Sequence, residues 1–254
     1  MKIRGLVNLI TGGCSGLGLA TARNLVSQGA KVVLLDVNEK AGADSVKELG
    51  RENSHFIPCD VTDESQVKKV YAEANQVFGD VRTYVNCAGI IIPDMLVKED
   101  GTHDTAIFKR IIDVNLFGSF LCTTMAAWHL KKAPIQGKER GLIINSSSIA
   151  ARQSLPGFAA YSASKGGLEG MLLPIARELG QFKIRLMNIA PGLMITPMTA
   201  SWPEEELKAG GVLAIRGELG EAHHFAQLVE AIITNGYLNA TSIHLDDGMV
   251  IPSV

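Results

Sequence analysis

"GLVNLITGGCSGLGLATARNLVSQGAKVVLLD", Gly5 to Asp36, opens with an apolar run that stops at a cluster of glycines. "GLGLATARNLVSQG" then repeats apolar residues at helical spacing and closes on Gly29, and "KVVLLD" is a second apolar run ending on an acid. Strand, loop, helix and strand follow in order. In the turn "TGGCSGLG", Thr11 to Gly18, the glycines fall as Gly12-x3-Gly16-x-Gly18. Absent side chains let the turn tighten and bring backbone N–H groups and a helix N-terminus to a pyrophosphate. The same glycines fit a plain tight turn, but their place between first strand and first helix favours nucleotide binding. Asp36, at the end of the second strand, stands where an acid accepts hydrogen bonds from an adenosine ribose and repels a 2′-phosphate. Two unit charges ~4 Å apart interact by roughly 4 kcal/mol at an effective dielectric near 20, enough to select NAD over NADP. Ser15 and Val37 offer a 2′-phosphate no cationic partner.

The rest of the chain repeats the alternation. "HFIPCD", "VRTYVN", "GLIINSS", "KIRLMNIA" and "TSIHLD" read as further strands, about seven in all. Between them lie "NEKAGADSVKELG", a helix capped by Asp63, a long helix from about Thr105 to Lys131, "FAAYSASKGGLEGMLLPIAREL" and "EAHHFAQLVEAIIT". Buried, non-alternating strands separated by helices predict an α/β fold: a single-domain, Rossmann-like, doubly wound parallel sheet over residues 1–254, with helices on both faces. Ligands of such a sheet bind beyond the carboxyl ends of its strands.

Composition excludes several classes. The net charge is -2 with 20% charged residues and no basic tract, so neither nucleic acid nor an anionic membrane is expected as a partner. No apolar run reaches the ~18–20 residues of a membrane span, and Met1–Asn8 lacks a secretory pattern. Cys14, Cys59, Cys87 and Cys122 are far apart, which favours reduced thiols and a cytoplasmic or mitochondrial setting over disulfides or zinc. The six histidines give no metal-ligand spacing; His223 and His224 are expected to point different ways on a helix surface.

Several features aim at the same sheet edge. Asp60-Val61 and "NCAG", Asn86 to Gly89, close the third and fourth strands. Asp60 suits an adenine amino group, and Ala88-Gly89 leave room for a cofactor against the backbone, although both also fit strand-end turns. Ser146, Ser147 and Ser148 end the fifth strand, Pro191-Gly192 follow the sixth, and Asn115 sits inside the long helix, where Asn is a poor helix former. A cap, a turn and a polar kink would explain them singly. In "YSASKGG", Lys165 lies one turn below Tyr161. With 4 tyrosines and 14 lysines, chance would give such a pair in roughly one chain in five.

"TGGCSGLG", Cys59–Val61, "NCAG", "DVNL", "SSS", "YSASK" and "PG", in this order through nearly the whole chain, resemble the short-chain dehydrogenases/reductases. The resemblance implies a catalytic tetrad of Asn115, Ser148, Tyr161 and Lys165; Ser148 is the serine thirteen residues before the tyrosine. It implies NAD contacts from Gly12, Ser15, Gly16, Leu17, Gly18, Asp36, Asp60, Val61, Asn86, Ala88, Gly89, Tyr161, Lys165, Pro191, Gly192 and Thr196. Within the family, "ITGGCSGLGLAT", "VNCAGI", "GMLLPIARELG" and "KKAPIQGKERG" are similar to the type 2 3-hydroxyacyl-CoA dehydrogenases, which also act on hydroxysteroids. Substrate contacts would come from Ser148, Leu155 and Tyr161, with a lid at about 193–220. Leu155 departs from that branch, which has a glutamine there, and the lid is shorter.

The resemblance gives "YSASK" a physical reason. Tyrosine, with a pKa of ~10, is a poor base at pH 7. Lys165 and an oxidised, cationic nicotinamide are expected to favour tyrosinate, so that Tyr161 takes the alcohol proton as hydride leaves carbon. Ser148 would hold the substrate oxygen and Asn115 a water leading to Lys165. The expected reaction is NAD-dependent oxidation of a secondary alcohol, a 3-hydroxyacyl-CoA or hydroxysteroid, or the reverse. The rivals are reduction of a 3-oxoacyl carrier-protein ester or other small ketone, and a catalytically idle nucleotide-binding scaffold. Ala159, Ala160, Ala163, Gly166, Gly167 and Gly170 would let another backbone approach their helix, and the family implies a homotetramer.

Overall fold

In the computed structural model, residues 1–200 and 202–252 are described; Ser201, inside the expected lid, and the last two residues of the expected domain lie outside them. Seven strands, β1 (Val7–Thr11), β2 (Lys31–Asp36), β3 (Ser54–Pro58), β4 (Thr83–Asn86), β5 (Gly141–Ser146), β6 (Ile184–Pro191) and β7 (Ser242–Leu245), form one parallel sheet. Its order is β7-β6-β5-β4-β1-β2-β3. The order reverses between β1 and β4, which opens a crevice at their carboxyl ends.

Successive residues of each strand face opposite layers. Leu9, Val33, Leu35, Ile143 and Leu186 enter one core with Tyr71, Leu121 and Leu172 from helices α3 (Glu64–Val77), α4 (Thr105–Lys132) and α5 (Ala159–Gly180). Ile10, Val32, Leu34, Ile144 and Met187 enter the other with Leu25, Leu49 and Phe225 from α1 (Gly16–Ser27), α2 (Glu39–Leu49) and α7 (Ala222–Thr234). Both faces are therefore apolar, and each fully buried Leu, Ile or Val contributes about 1.5–3 kcal/mol. Asp63 caps α3 as expected: Oδ1 accepts from Ser65 and Gln66 N–H at 2.9 and 3.1 Å. These bonds, the Ser65 hydroxyl foremost, hold its carboxyl at about 2.

Two expectations are corrected here. No apolar run is expected to reach the length of a membrane span, yet α4 is long and apolar enough by length and composition to cross a membrane. The composition has a packing reason: one face lies on the sheet, while Phe117, Phe120 and Trp128 line the other, each more than two-fifths exposed. His223 and His224 do not point apart. Their rings lie 4.0 Å centroid to centroid, because both are drawn to Glu221 at the N-cap of α7. His224 Nδ1 accepts from the Glu221 N–H, and His223 pairs with the Glu221 carboxylate.

The middle of α4, Ile112–Gly118, is π-helical. Asn115 makes the local conflict: its Oδ1 accepts from Ile90 N–H and its Nδ2 donates to Ile90 O, both at 2.8 Å. A side chain pulled off the helix toward a neighbouring loop fits a widened turn better than a regular one. Beyond β6 the chain leaves the sheet. Met194–Ile195 pairs in parallel with Gly220–Glu221, and α6 (Glu204–Val212) lies in the loop thus closed.

Candidate active site

The carboxyl ends of the strands border one cleft of about 1170 Å³. At one end stands the glycine loop. Gly12 has φ +60°, and a Cβ on it would come within 2.8–2.9 Å of the Cys87–Ala88 backbone; Gly16 has φ +47°. A Cβ on Gly18 would collide with the Gly12 carbonyl oxygen. The loop is thus open to a ligand's phosphates on one side and pressed against β4 and α1 on the other, the cradle a dinucleotide pyrophosphate requires. Asp36 is braced beside it: its carboxylate accepts from Cys14 N–H at 3.3 Å and Asn38 N–H at 3.1 Å, and it lines the cleft. Asp60 is held by Thr62 N–H and hydroxyl, at 2.9 and 2.8 Å.

Ser15, Leu17, Val61, Ala88, Gly89, Pro191, Gly192 and Thr196 also line the cleft. Gly192 has no room for more: a Cβ there would come within 2.9–3.0 Å of Asp246. Thr196 approaches Gly16, so the segment after β6 touches the glycine loop. Asn86 departs from its expected place. It does not line the cleft; its side chain is buried, donating to Asn145 Oδ1 at 2.8 Å and Thr123 Oγ1 at 3.3 Å. The reason is where the strand ends: Asn86 is the last residue of β4, buried opposite Asn145 of β5, and only the loop residues after it, Cys87 to Gly89, reach the cleft.

At the middle of the cleft, α5 presents Tyr161 and Lys165 on one face. Lys165 is 5% exposed; its Nζ donates to Ser146 O at 2.8 Å and stands 5.5 Å from the Tyr161 ring centre. Burial pulls the ammonium down to about 8. Burial pushes the Tyr161 phenol above its ordinary value, partly offset by the Ser148 hydroxyl beside it. The lowering of that tyrosine is expected from Lys165 together with a cationic nicotinamide; in the protein alone, desolvation of the phenolate is the larger cause. Ser148 Oγ also caps the short turn Ile149–Ala151, accepting from Ala150 N–H at 3.1 Å. Asn115 is one step behind: its Nδ2 reaches Ser164 Oγ at 3.3 Å, and that hydroxyl donates to Tyr161 O at 2.6 Å. Leu155 lines the far end, 44% exposed.

Sequence reasoning missed Ser164, which joins Asn115 to the α5 backbone, and Ile90, whose main chain fixes the Asn115 amide. Position i+3 from Tyr161 was the available signal for Ser164. It also missed Phe158, which meets Trp202 across the cleft at 6.5 Å between ring centres, and the wall residues Met249 and Ile251. Chemically, the site offers a phosphate cradle, an acid at the end of β2, a buried ammonium, and a phenol and a serine hydroxyl lining the same cleft.

Comparison with known proteins agrees with this arrangement. The short chain dehydrogenase family profile matches residues 6–207. The chain is 46% identical over 249 residues to 3-hydroxyacyl-CoA dehydrogenase type-2 of Homo sapiens, covering 96% of this chain and 95% of that protein. A 3-oxoacyl-[acyl-carrier-protein] reductase of Thermotoga maritima is 32% identical, with 99% and 100% covered. Among solved structures, 3-hydroxyacyl-CoA dehydrogenase type-2 from Mycobacterium avium superposes with a TM-score of 0.91 at 32% identity, covering 98% of this chain and 97% of that one. This chain belongs to the short-chain dehydrogenase/reductase family, and is an NAD-dependent oxidoreductase of alcohols and ketones.

Proposed function

We propose that the chain interconverts a 3-hydroxyacyl-CoA and its 3-oxoacyl-CoA, through Tyr161, Lys165, Ser148 and Asn115. The observation that carries the reading is Lys165 Nζ, buried against the Ser146 carbonyl one turn from a phenol that faces Ser148. Bound NAD supplies the hydride acceptor, and NADH the donor. Gly12, Gly16 and Gly18 would hold its pyrophosphate, and the Asp36 carboxylate its ribose hydroxyls. Ser148 Oγ orients the substrate oxygen toward Tyr161. The Tyr161 hydroxyl gives its proton to that oxygen during reduction and takes it back during oxidation. Lys165 Nζ, 5.5 Å from the Tyr161 ring centre, sets a positive charge on the same helix face as the phenol, which favours the phenolate. Asn115 holds Ser164, and through it the α5 backbone at Tyr161.

The segment 193–220, with Trp202 against Phe158, acts as the substrate lid. We also propose self-association into a tetramer, which the outer faces of α4 and α5 support. Phe117, Phe120, Trp128 and Leu173 are exposed there, as are the small residues Ala159, Ala163 and Gly170. Gly167 serves a different purpose, since a Cβ on it would collide with Leu116 of the same chain. The activity test is NADH oxidation on acetoacetyl-CoA, beside an acyl-carrier-protein thioester and plain ketones; light scattering gives the assembly. Turnover of plain ketones with none of any 3-oxoacyl-CoA overturns the substrate assignment.

A further inference from the structure

The segment after β7 returns to the cleft and is fastened there by one side chain. Gln153, five residues past Ser148, grips it with both ends of its carboxamide. Nε2 donates to Met249 O at 2.9 Å, and Oε1 accepts from Ile251 N–H at 3.0 Å. A neighbouring strand would make the same two bonds. Met249 is 4% exposed and packs with Ile149 and Ala214, while Leu193, Leu213 and Ile251 close round them. This small cluster joins three pieces remote in sequence: the turn after Ser148, the segment 193–220 and the C-terminal strip. Met249 and Ile251 form part of the cleft wall.

The strip is also tied to the loop past α6. Val250 N–H donates to Leu213 O at 3.3 Å and Ile215 N–H to Asp247 O at 3.0 Å. The Asp247 carboxylate accepts from Arg216 N–H and Nε, both at 2.8 Å. One edge of the strip therefore belongs to the lid, and Gln153 ties the other edge to the Ser148 turn.

We propose that Gln153 is a positioning residue that sets substrate size: through Met249 and Ile251 it fixes the wall beyond the reacting carbon. Gln153 itself does not line the cleft. The proposal rests on the reading of the Ser148–Tyr161 end as the substrate site. A free strip would let that wall yield to longer groups, whereas a clamped one excludes them.

The test compares wild type with Gln153→Ala and Gln153→Glu. The second keeps the acceptor for Ile251 N–H and loses the donor to Met249 O. The kcat/KM is measured over a series of rising tail length, 3-oxoacyl thioesters or plain ketones, whichever the wild type reduces. NADH affinity and amide exchange at Ile251 are measured alongside. In Gln153→Ala the long-to-short ratio of kcat/KM should rise at least fivefold, carried by KM. Ile251 exchange should quicken at least tenfold, and NADH affinity stay within twofold. Gln153→Glu should fall between. An unchanged ratio, or unchanged exchange, overturns the proposal, while wild-type turnover of 3-oxoacyl thioesters leaves the proposed function standing. A wild type that reduces no member of either series removes the proposed function, and this inference with it.

Discussion

At the glycine-loop end of the cleft the walls are main chain: Gly12 lies against the Cys87–Ala88 backbone, Gly18 against the Gly12 carbonyl, and Asp36 is held by two backbone N–H groups. At the Ser148 end they are side chains from distant segments, Leu155, Phe158, Trp202, Met249 and Ile251. Backbone walls admit few substitutions and bind what every member of such a fold must bind. Side-chain walls change one residue at a time without disturbing the sheet. Holding the cofactor's phosphates therefore belongs to the first kind of construction, and substrate choice to the second.

The chemistry between the two ends should be the most sensitive. Tyr161→Phe is expected to lower turnover by ~10²-fold or more while NADH affinity stays within about twofold. Retained activity would mean that the phenol is not the proton donor. Lys165→Met should also cut turnover, and the two losses should not add, since both act in one proton-transfer unit. The pH profile of alcohol oxidation sharpens the point. Burial raises Tyr161, so the rising limb of kcat/KM depends on the ammonium and should move to higher pH in Lys165→Met.

Gly18→Ala tests the backbone wall. It should cost about 1–3 kcal/mol of stability, seen in the thermal midpoint, and weaken NADH binding measurably. Asp36→Ala should spare stability but narrow a preference for NADH over NADPH of at least tenfold, a gap of ~1.4 kcal/mol. Equal wild-type affinities would break the assignment of Asp36. The smallest effect is expected at the side-chain wall. Trp202→Ala should change KM by a few-fold and leave NADH affinity alone; a large loss of cofactor binding there would erase the distinction between the two ends.

The same division explains what could be read from the chain. Helix and strand periods, the glycine spacing and the acid ending "KVVLLD" are local signals, and they led to the sheet, its order of elements and the loop at Gly12. Asn115 announced a disturbance in α4, because Asn is a poor helix former. The π-helical turn itself depended on Ile90, which approaches only in the folded chain. Asn86 was misplaced because the step from strand to loop decides which way a side chain turns. The Gln153 clamp joins positions 96 and 98 residues apart and has no local signature.

The buried amides under the cleft act on the sheet as a whole. Asn86, Asn145 and Asn188 sit opposite one another on β4, β5 and β6, linked through their side chains, and Asn188 Nδ2 continues to Leu168 O. Valine, isoleucine and leucine strands would pair almost equally well one residue out of step. The three amides would not: a slip strands each of them among apolar side chains, at about 1–3 kcal/mol for every buried polar group left unpaired. The ladder is an alignment mark, and it lies one residue below Ser146, whose carbonyl holds Lys165.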